Sequence, residues 1–160
     1  MTAYAATGNV SLNSNGAASW LTVKPGAYEL KIGRIEVNVL TTFLQAGTSG
    51  VLYAALEIHR FAGGTTSGGS VVTAVPLRQG GPAATSTTRM GGSITGTDAY
   101  IAKTTAVGPV GSGNYEFPFD VTVAPGSALG IRMTGNSGDQ FNITIMAVVY
   151  FEELRLSWHY

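Results

Sequence analysis

Apolar and polar residues alternate along most of the chain with a period of two, the pattern of strands with one buried face. Phe141, Ile143, Ile145, Ala147, Val149 and Phe151 form the longest such face. Leu52, Ala54, Leu56 and Ile58 alternate with Tyr53, Glu57 and His59, and Leu129, Ile131 and Met133 alternate with Gly130, Arg132 and Thr134. Leu30 and Ile32 share one phase, which flips after Gly33 to Ile35, Val37 and Val39. A one-residue slip at a glycine predicts a β-bulge. Shorter strands are expected at Trp20–Val23, Val71–Leu77, Tyr100–Ala106 and Tyr115–Val123, with Trp20 in the core. Lys24-Pro25-Gly26 and Ala124-Pro125-Gly126 mark turns, because Pro presets φ and Gly supplies φ > 0. No segment carries a helical period. The pattern predicts an all-β fold, an antiparallel β-sandwich, jelly-roll-like, of about eight strands.

A chain of 160 residues suits one core, so a single domain is expected over 1–160, with 1–18 free as an N-terminal arm and 154–160 as a C-terminal tail. Thr22–Gly26 and Thr122–Gly126 are near copies, read as two independent strand-to-turn solutions rather than a repeat. Two stretches read as loops: Ala62–Ser70, rich in Gly, Ser and Thr, and Gln79–Ser93, with two double glycines and no apolar period. The longer one is the first candidate for a contact arm.

Charge changes the picture. Charged residues are 11% of the chain, against about 25% in typical domains. Ser, Thr, Asn, Gly and Ala must cover much of the surface, which then carries little repulsion toward another protein. Net charge is zero, and the nine Lys and Arg residues are scattered from Lys24 to Arg155, so no basic field favours nucleic acid. There is no cysteine, hence no disulfide and no thiolate metal ligand. The opening MTAYAATGNVSLNSNG lacks the basic start and apolar core of a signal peptide. The longest apolar run, Ile145–Phe151, is far short of the roughly 20 residues of a membrane helix.

Candidate chemistry is sparse. The glycines at 63, 64, 68 and 69 precede a strand, not a helix N-terminus, so they form no phosphate cradle. His59, Asp98 and Ser137 stand in the His…Asp…Ser order of chymotrypsin-like proteases. The match to that family is poor: Asp139 stands where the family has glycine, and Gly135–Asp139 reads equally as an ordinary hairpin loop. The acidic residues do not cluster except at Glu152-Glu153, read as solvated edge charges on opposite faces of a strand. His59 and Glu57 share a strand face, but two histidines and no cysteine make a poor zinc set. Asp139 with loop carbonyls is the one calcium candidate. No cofactor is expected.

The end of the chain is more informative. Met146–Phe151 is apolar on both strand faces, so one side faces the core and the other needs a neighbour. Beyond it, Leu154, Leu156, Trp158, His159 and Tyr160 are side chains that favour an interface over water. Together with Arg89 and Met90 of the Gln79–Ser93 loop and Tyr150 of the two-sided strand, they are the expected partner-contact residues.

Ile58-His59-Arg60-Phe61, the Gly/Thr loop after it, Val71–Leu77 closing in Pro76-Leu77, and Pro82–Thr85 resemble small virion proteins of tailed phages. In those, a strand ending in a basic residue leads through a Gly/Thr loop to a strand closing in Pro-Leu. Leu129–Thr134 and Ala147–Glu153 fit the same picture. The resemblance rests on strand–loop rhythm and composition, not on a chemical motif. It implies a decoration (cement) protein that oligomerises, often as a homotrimer, on the capsid exterior after synthesis in the host cytoplasm. There it would clamp neighbouring major capsid proteins against the pressure of packaged DNA. It implies no catalytic residue, no nucleic-acid partner and no membrane. The alternative is a fibre, receptor-binding or carbohydrate-binding β-sandwich with an exposed Trp or Tyr in a concave site, for which Trp20 and Trp158 are the only tryptophans.

Overall fold

The computed structural model describes residues 2–12, 15–43, 53–107, 113–136 and 141–155. Its strands in chain order are β1 (Thr2–Leu12), β2 (Asn15–Lys24), β3 (Glu29–Phe43), β4 (Tyr53–Ser67), β5 (Ser70–Val72), β6 (Val75–Pro76), β7 (Thr87–Met90), β8 (Ser93–Val107), β9 (Gly113–Val123), β10 (Ser127–Asn136) and β11 (Phe141–Leu154). No helix occurs among the described residues. The strands form two packed antiparallel sheets, a five-stranded one ordered β6-β1-β11-β3-β9 and a six-stranded one ordered β5-β7-β2-β10-β4-β8.

The eight long strands pair as one folded hairpin: β1 with β11, β2 with β10, β3 with β9 and β4 with β8. Rolling that hairpin lays β11 beside β3 and β10 beside β4. This winding is the jelly roll, as the alternation predicts. The three short strands lie between β4 and β8 at the hairpin's tip. Val71–Leu77, expected as one strand, divides between the sheets: β5 pairs with β7, and β6 pairs with β1. The segment therefore straps the two sheets together along one edge of the sandwich.

The stretch 1–18, allowed above as an arm, holds β1 and the start of β2. Tyr4 and Ala6 of β1 are fully buried. Gly8, in the same phase, leaves room for the Met90 and Leu21 side chains, which a Cβ there would meet at about 3 Å. The Tyr4 ring stacks on Phe151 with centroids 5.5 Å apart.

The bulge predicted at Gly33 is present. Arg34 pairs with Tyr150 and Ile32 with Phe151, leaving Gly33 without an opposite residue on β11. Leu30, Ile32, Ile35 and Val37 are all buried, so the slip keeps both halves of β3 pointing at the core. The two near-copy turns use glycine differently. Gly126 has φ +86°, a left-handed turn position. Gly26 needs no such φ; it lies against the backbone of Thr85, where any Cβ would clash.

The core fills the space between the sheets, with Leu56, Ile58, Leu129, Ile131 and Met133 from one side and Ile32, Ile35, Ile145, Val149 and Phe151 from the other. Burial of such aliphatic and aromatic side chains, about 1.5–3 kcal/mol each, is the main favourable term for folding.

Candidate partner interface

Strand β11 is apolar on both faces, and the two faces have different fates. Ala147, Val149 and Phe151 point inward and are at most 1% exposed. Met146, Val148 and Tyr150 point outward; Met146 is 42% exposed and the other two are half-buried. Across the ladder, Tyr150 lies opposite Ala5 and Val148 opposite Thr7 of β1. Ala5 in turn lies opposite Val75 of β6. Directly opposed residues in an antiparallel pair share a face. The outer face of the five-stranded sheet thus carries a continuous strip from Val75 through Ala5 and Tyr150 to Val148 and Met146. Val75 is 59% exposed and Leu77, just beyond it, 57%. Exposed apolar residues scattered singly need no explanation, but contiguous ones mark interaction surfaces.

Charged residues rim this strip on the β3 side. The Arg34 guanidinium lies 4.3 Å from the Tyr150 ring centroid and 2.9 Å from Glu36 Oε1. The Tyr150 hydroxyl donates to Glu36 Oε2 at 3.0 Å. Lys31 pairs with Asp120 at 3.2 Å. Exposed pairs of this kind contribute little stability, about 0–1 kcal/mol; the Arg34–Glu36 pair also holds the Tyr150 ring, through the guanidinium over its face and the carboxylate on its hydroxyl. Beside Tyr150 opens a cleft of about 400 Å³, with Ala3 and Gly33 as its small residues and Leu77, Lys31, Arg34 and Glu152 around them.

Among the described residues, the expected contact residues Arg89, Met90, Tyr150 and Leu154 do not form one surface. Tyr150 lies in the strip. Leu154 ends β11 and is half-buried. Arg89 donates to the Gly68 carbonyl at 3.0 Å, at the edge where β5 and β7 meet. Met90 is 8% exposed and belongs to the core, because the inward phase of β7 places it over β1 and β2; its side chain is not offered to a partner. Leu156, Trp158, His159 and Tyr160 lie outside the described residues.

The Gln79–Ser93 segment is not a projecting arm. Thr87–Met90 is β7, paired with β2 and β5. Ahead of it, Glu153 holds the chain down. This carboxylate has no exposure, against the expectation of a solvated edge charge. Its Oε1 accepts from Thr85 N at 2.6 Å, Thr85 Oγ1 at 3.0 Å and Ser86 N at 3.0 Å, while Oε2 accepts from Arg155 Nη2 at 3.1 Å. Burial pushes the Glu153 carboxyl up, but these donors together outweigh it and hold the group below its ordinary range. Parity in the sequence carried this signal: Glu153 shares the inward phase of Val149 and Phe151.

On the opposite outer face, the structure brings together two members of the His…Asp…Ser order. His59 Nδ1 lies 2.9 and 3.0 Å from the two Asp98 oxygens. His59 Nε2, which a protease base would turn to its serine, lies 3.3 Å from Glu57 Oε2. Ser137 is outside the described residues; Asn136 before it pairs with Tyr53, six positions along β4 from His59, roughly 20 Å at strand rise. Burial raises the Glu57 carboxyl, and hydrogen bonds from Arg132 and His59 outweigh that and lower it. Trp20, expected in the core, is half-buried on this outer face, edge-on to His59 and Phe61. It lies across Gly130, where a Cβ would meet the indole at 2.9 Å. Among the described residues no group of three or more His, Cys, Asp or Glu is placed to hold a metal ion. The calcium candidate Asp139 lies outside them.

No family model matches the chain, and no curated protein matches its sequence.

Proposed function

We propose that the protein is a structural component of a tailed-phage virion that binds the capsid exterior and holds neighbouring major capsid proteins together. One observation carries this reading. The outer face of the five-stranded sheet presents Val75, Tyr150, Val148 and Met146 as one apolar strip, with Leu77 beside it, on a chain that carries few charges. Such a face favours protein contact over water. A jelly roll serves shells, lectins and enzymes alike, so the winding by itself selects none of these. The rigid two-sheet body suits a clamp, and contacts of modest strength become firm when shell symmetry repeats them. In this reading the protein has no catalytic role and self-associates, as a homotrimer.

The test is co-sedimentation with shells assembled from the major capsid protein of the same phage. Wild-type protein pellets with shells and not with unassembled subunits. Val75→Glu and Met146→Glu, at exposed positions that leave the core intact, abolish pelleting. Retention of wild-type binding by both variants overturns the reading.

A second reading, a fibre or carbohydrate-binding module, is favoured by Trp20 lying half-buried across Gly130 and edge-on to His59, which pairs with Asp98. It predicts that a sugar panel quenches Trp20 fluorescence, with loss of the effect in Trp20→Phe.

A further inference from the structure

An edge strand invites pairing with another chain unless charge, proline, irregular register or shortness blunts it. Among the described residues, three of the sandwich's four sheet edges are blunted in this way. Strand β9 carries Glu116, Pro118 and Asp120, and Pro118 has no N–H to give. Strand β8 carries Asp98 and shifts register repeatedly against β4. Strand β5 is only 3 residues long. The fourth edge is different. There β6 pairs with β1 only at Tyr4 and Ala5, and beyond Ala5 no strand among the described residues pairs with that side of β1. Strand β1 has no charged residue and no proline, and its ladder with β11 runs from Thr2 to Leu12 without a shift.

The main chain of β1 points its open groups at this side. Leu77 N donates to the Ala3 carbonyl at 2.9 Å, so that carbonyl points away from β11. Main-chain groups along an antiparallel strand alternate between its two neighbours. The N–H and C=O groups of Thr7, Asn9 and Ser11 therefore point the same way as those of Ala3, past the end of β6. All three residues are exposed. Such a row receives an added strand through main-chain hydrogen bonds.

The row itself selects the occupant. Antiparallel pairing with β1 of a second copy, Asn9 opposite Asn9 and Thr7 opposite Ser11, sets N–H against C=O at every one of these residues. The open run from Thr7 to Ser11 is centred on Asn9, so this register uses it whole and does not overlap the residues that β6 covers. Like charges opposed across a seam are destabilising, and here there are none to oppose. Strand β9 of a second copy is the poorer match, because Pro118 cannot donate and Glu116 and Asp120 bring charge.

We infer that two copies of the chain associate about a two-fold axis by pairing their β1 strands from Thr7 to Ser11. The contact is isologous, with the same row on both sides. It joins the two five-stranded sheets into one. Directly opposed residues share a face, so the apolar strips of both copies lie on the same side of the joined sheet. The contact goes beyond the capsid reading and adds a two-fold to the three-fold association proposed there.

The experiment is light scattering on the full chain and three single variants, with far-ultraviolet circular dichroism to check folding. Asn9→Pro removes an N–H that the ladder with β11 does not use. Asn9→Lys and Asn9→Glu each place like charges opposite one another on the two-fold axis. The wild type has the mass of an even number of chains, and each variant alone has half that mass with unchanged dichroism. An equimolar mixture of Asn9→Lys with Asn9→Glu regains the full mass at low salt, because opposite charges then face each other. If Asn9→Pro fails to fold, the two charge variants and their mixture carry the test. A wild type of odd mass, monomer or trimer, overturns the inference, as does an even mass that survives all three substitutions. A wild-type trimer unchanged in every variant sinks the edge pairing and spares the three-fold association. A dimer that the variants split into monomers supports the edge pairing and removes the three-fold. Shell binding is measured separately: an edge-paired dimer that capsid shells ignore keeps the inference and sinks the capsid reading.

Discussion

The carboxylate of Glu153, with no exposure to solvent, accepts the backbone N–H of Thr85 at 2.6 Å across 68 residues of chain. This contact turns a glycine-rich segment into part of the sandwich. Without Glu153, the N–H groups of Thr85 and Ser86 lose the charged acceptor they share. Hydrogen bonds to a charged group contribute about 1.5–3 kcal/mol each. Glu153→Ala is therefore expected to lower stability by about 2–3 kcal/mol in urea unfolding, with Arg155 losing its carboxylate partner as well. A loss under about 0.5 kcal/mol, the scale of a surface change, would show the latch to be idle.

The same group sets a pH dependence. Glu153 and Glu57 both titrate below their ordinary value of about 4.5 in the folded protein. A depressed folded value means that the charged form is favoured by folding. The associated stability is fully present above the unfolded value and is lost as pH falls through the folded ones. Urea midpoints are expected to hold steady from pH 7 to about pH 5 and then fall. In Glu153→Gln the fall is shallower, because one of the two groups no longer titrates. An identical acid limb in both proteins would place the dependence elsewhere.

The two turn glycines give a paired test. Gly26→Ala drives a Cβ into the Thr85 backbone, a clash worth about 1–3 kcal/mol. Gly126→Ala meets open space but must hold φ near +86°, at a cost of about 1–2 kcal/mol. Asn, which tolerates left-handed φ, is expected to recover part of the loss at 126 and none at 26. Thermal melts of the four variants decide this; equal behaviour of Asn at both positions would contradict the assignment.

The faces of β11 give another. Val149→Ala opens a cavity at a fully buried position, for about 1–3 kcal/mol. Met146→Ala, at a 42% exposed position, stays within about 0.5 kcal/mol. A large stability loss at Met146 would mean that the outer strip supports the fold rather than a partner.

Much of this architecture was legible because strands with one buried face write a period of two into the sequence. The slip at Gly33 was legible for the same reason, since Leu30 and Ile32 and then Ile35 and Val37 each keep their phase. Strand β1 was not, because its inward positions include Ala6 and Gly8, residues too small to mark a face. Val71–Leu77 looked continuous because periodicity does not register a chain crossing between sheets. Trp20 was assigned to the core on hydrophobicity, yet the same alternation that buries Leu21 and Val23 sends it outward. The pairing of His59 with Asp98 depends on the β4–β8 register, which local sequence does not encode. The apolar outer strip was half-read: Met146–Phe151 announced a two-sided strand, while Val75 joined it only through β6.

The proposed capsid role requires that the β1–β11 face, and not the opposite one, meets the shell. Hydrogen exchange of the protein, free and bound to assembled capsid shells, reads this directly. The account predicts slowed exchange in 3–7, 75–77 and 146–152, with little change in 19–22 and 57–61 on the opposite face. Protection concentrated around Trp20 and His59, with the β1–β11 strip unchanged, would contradict it.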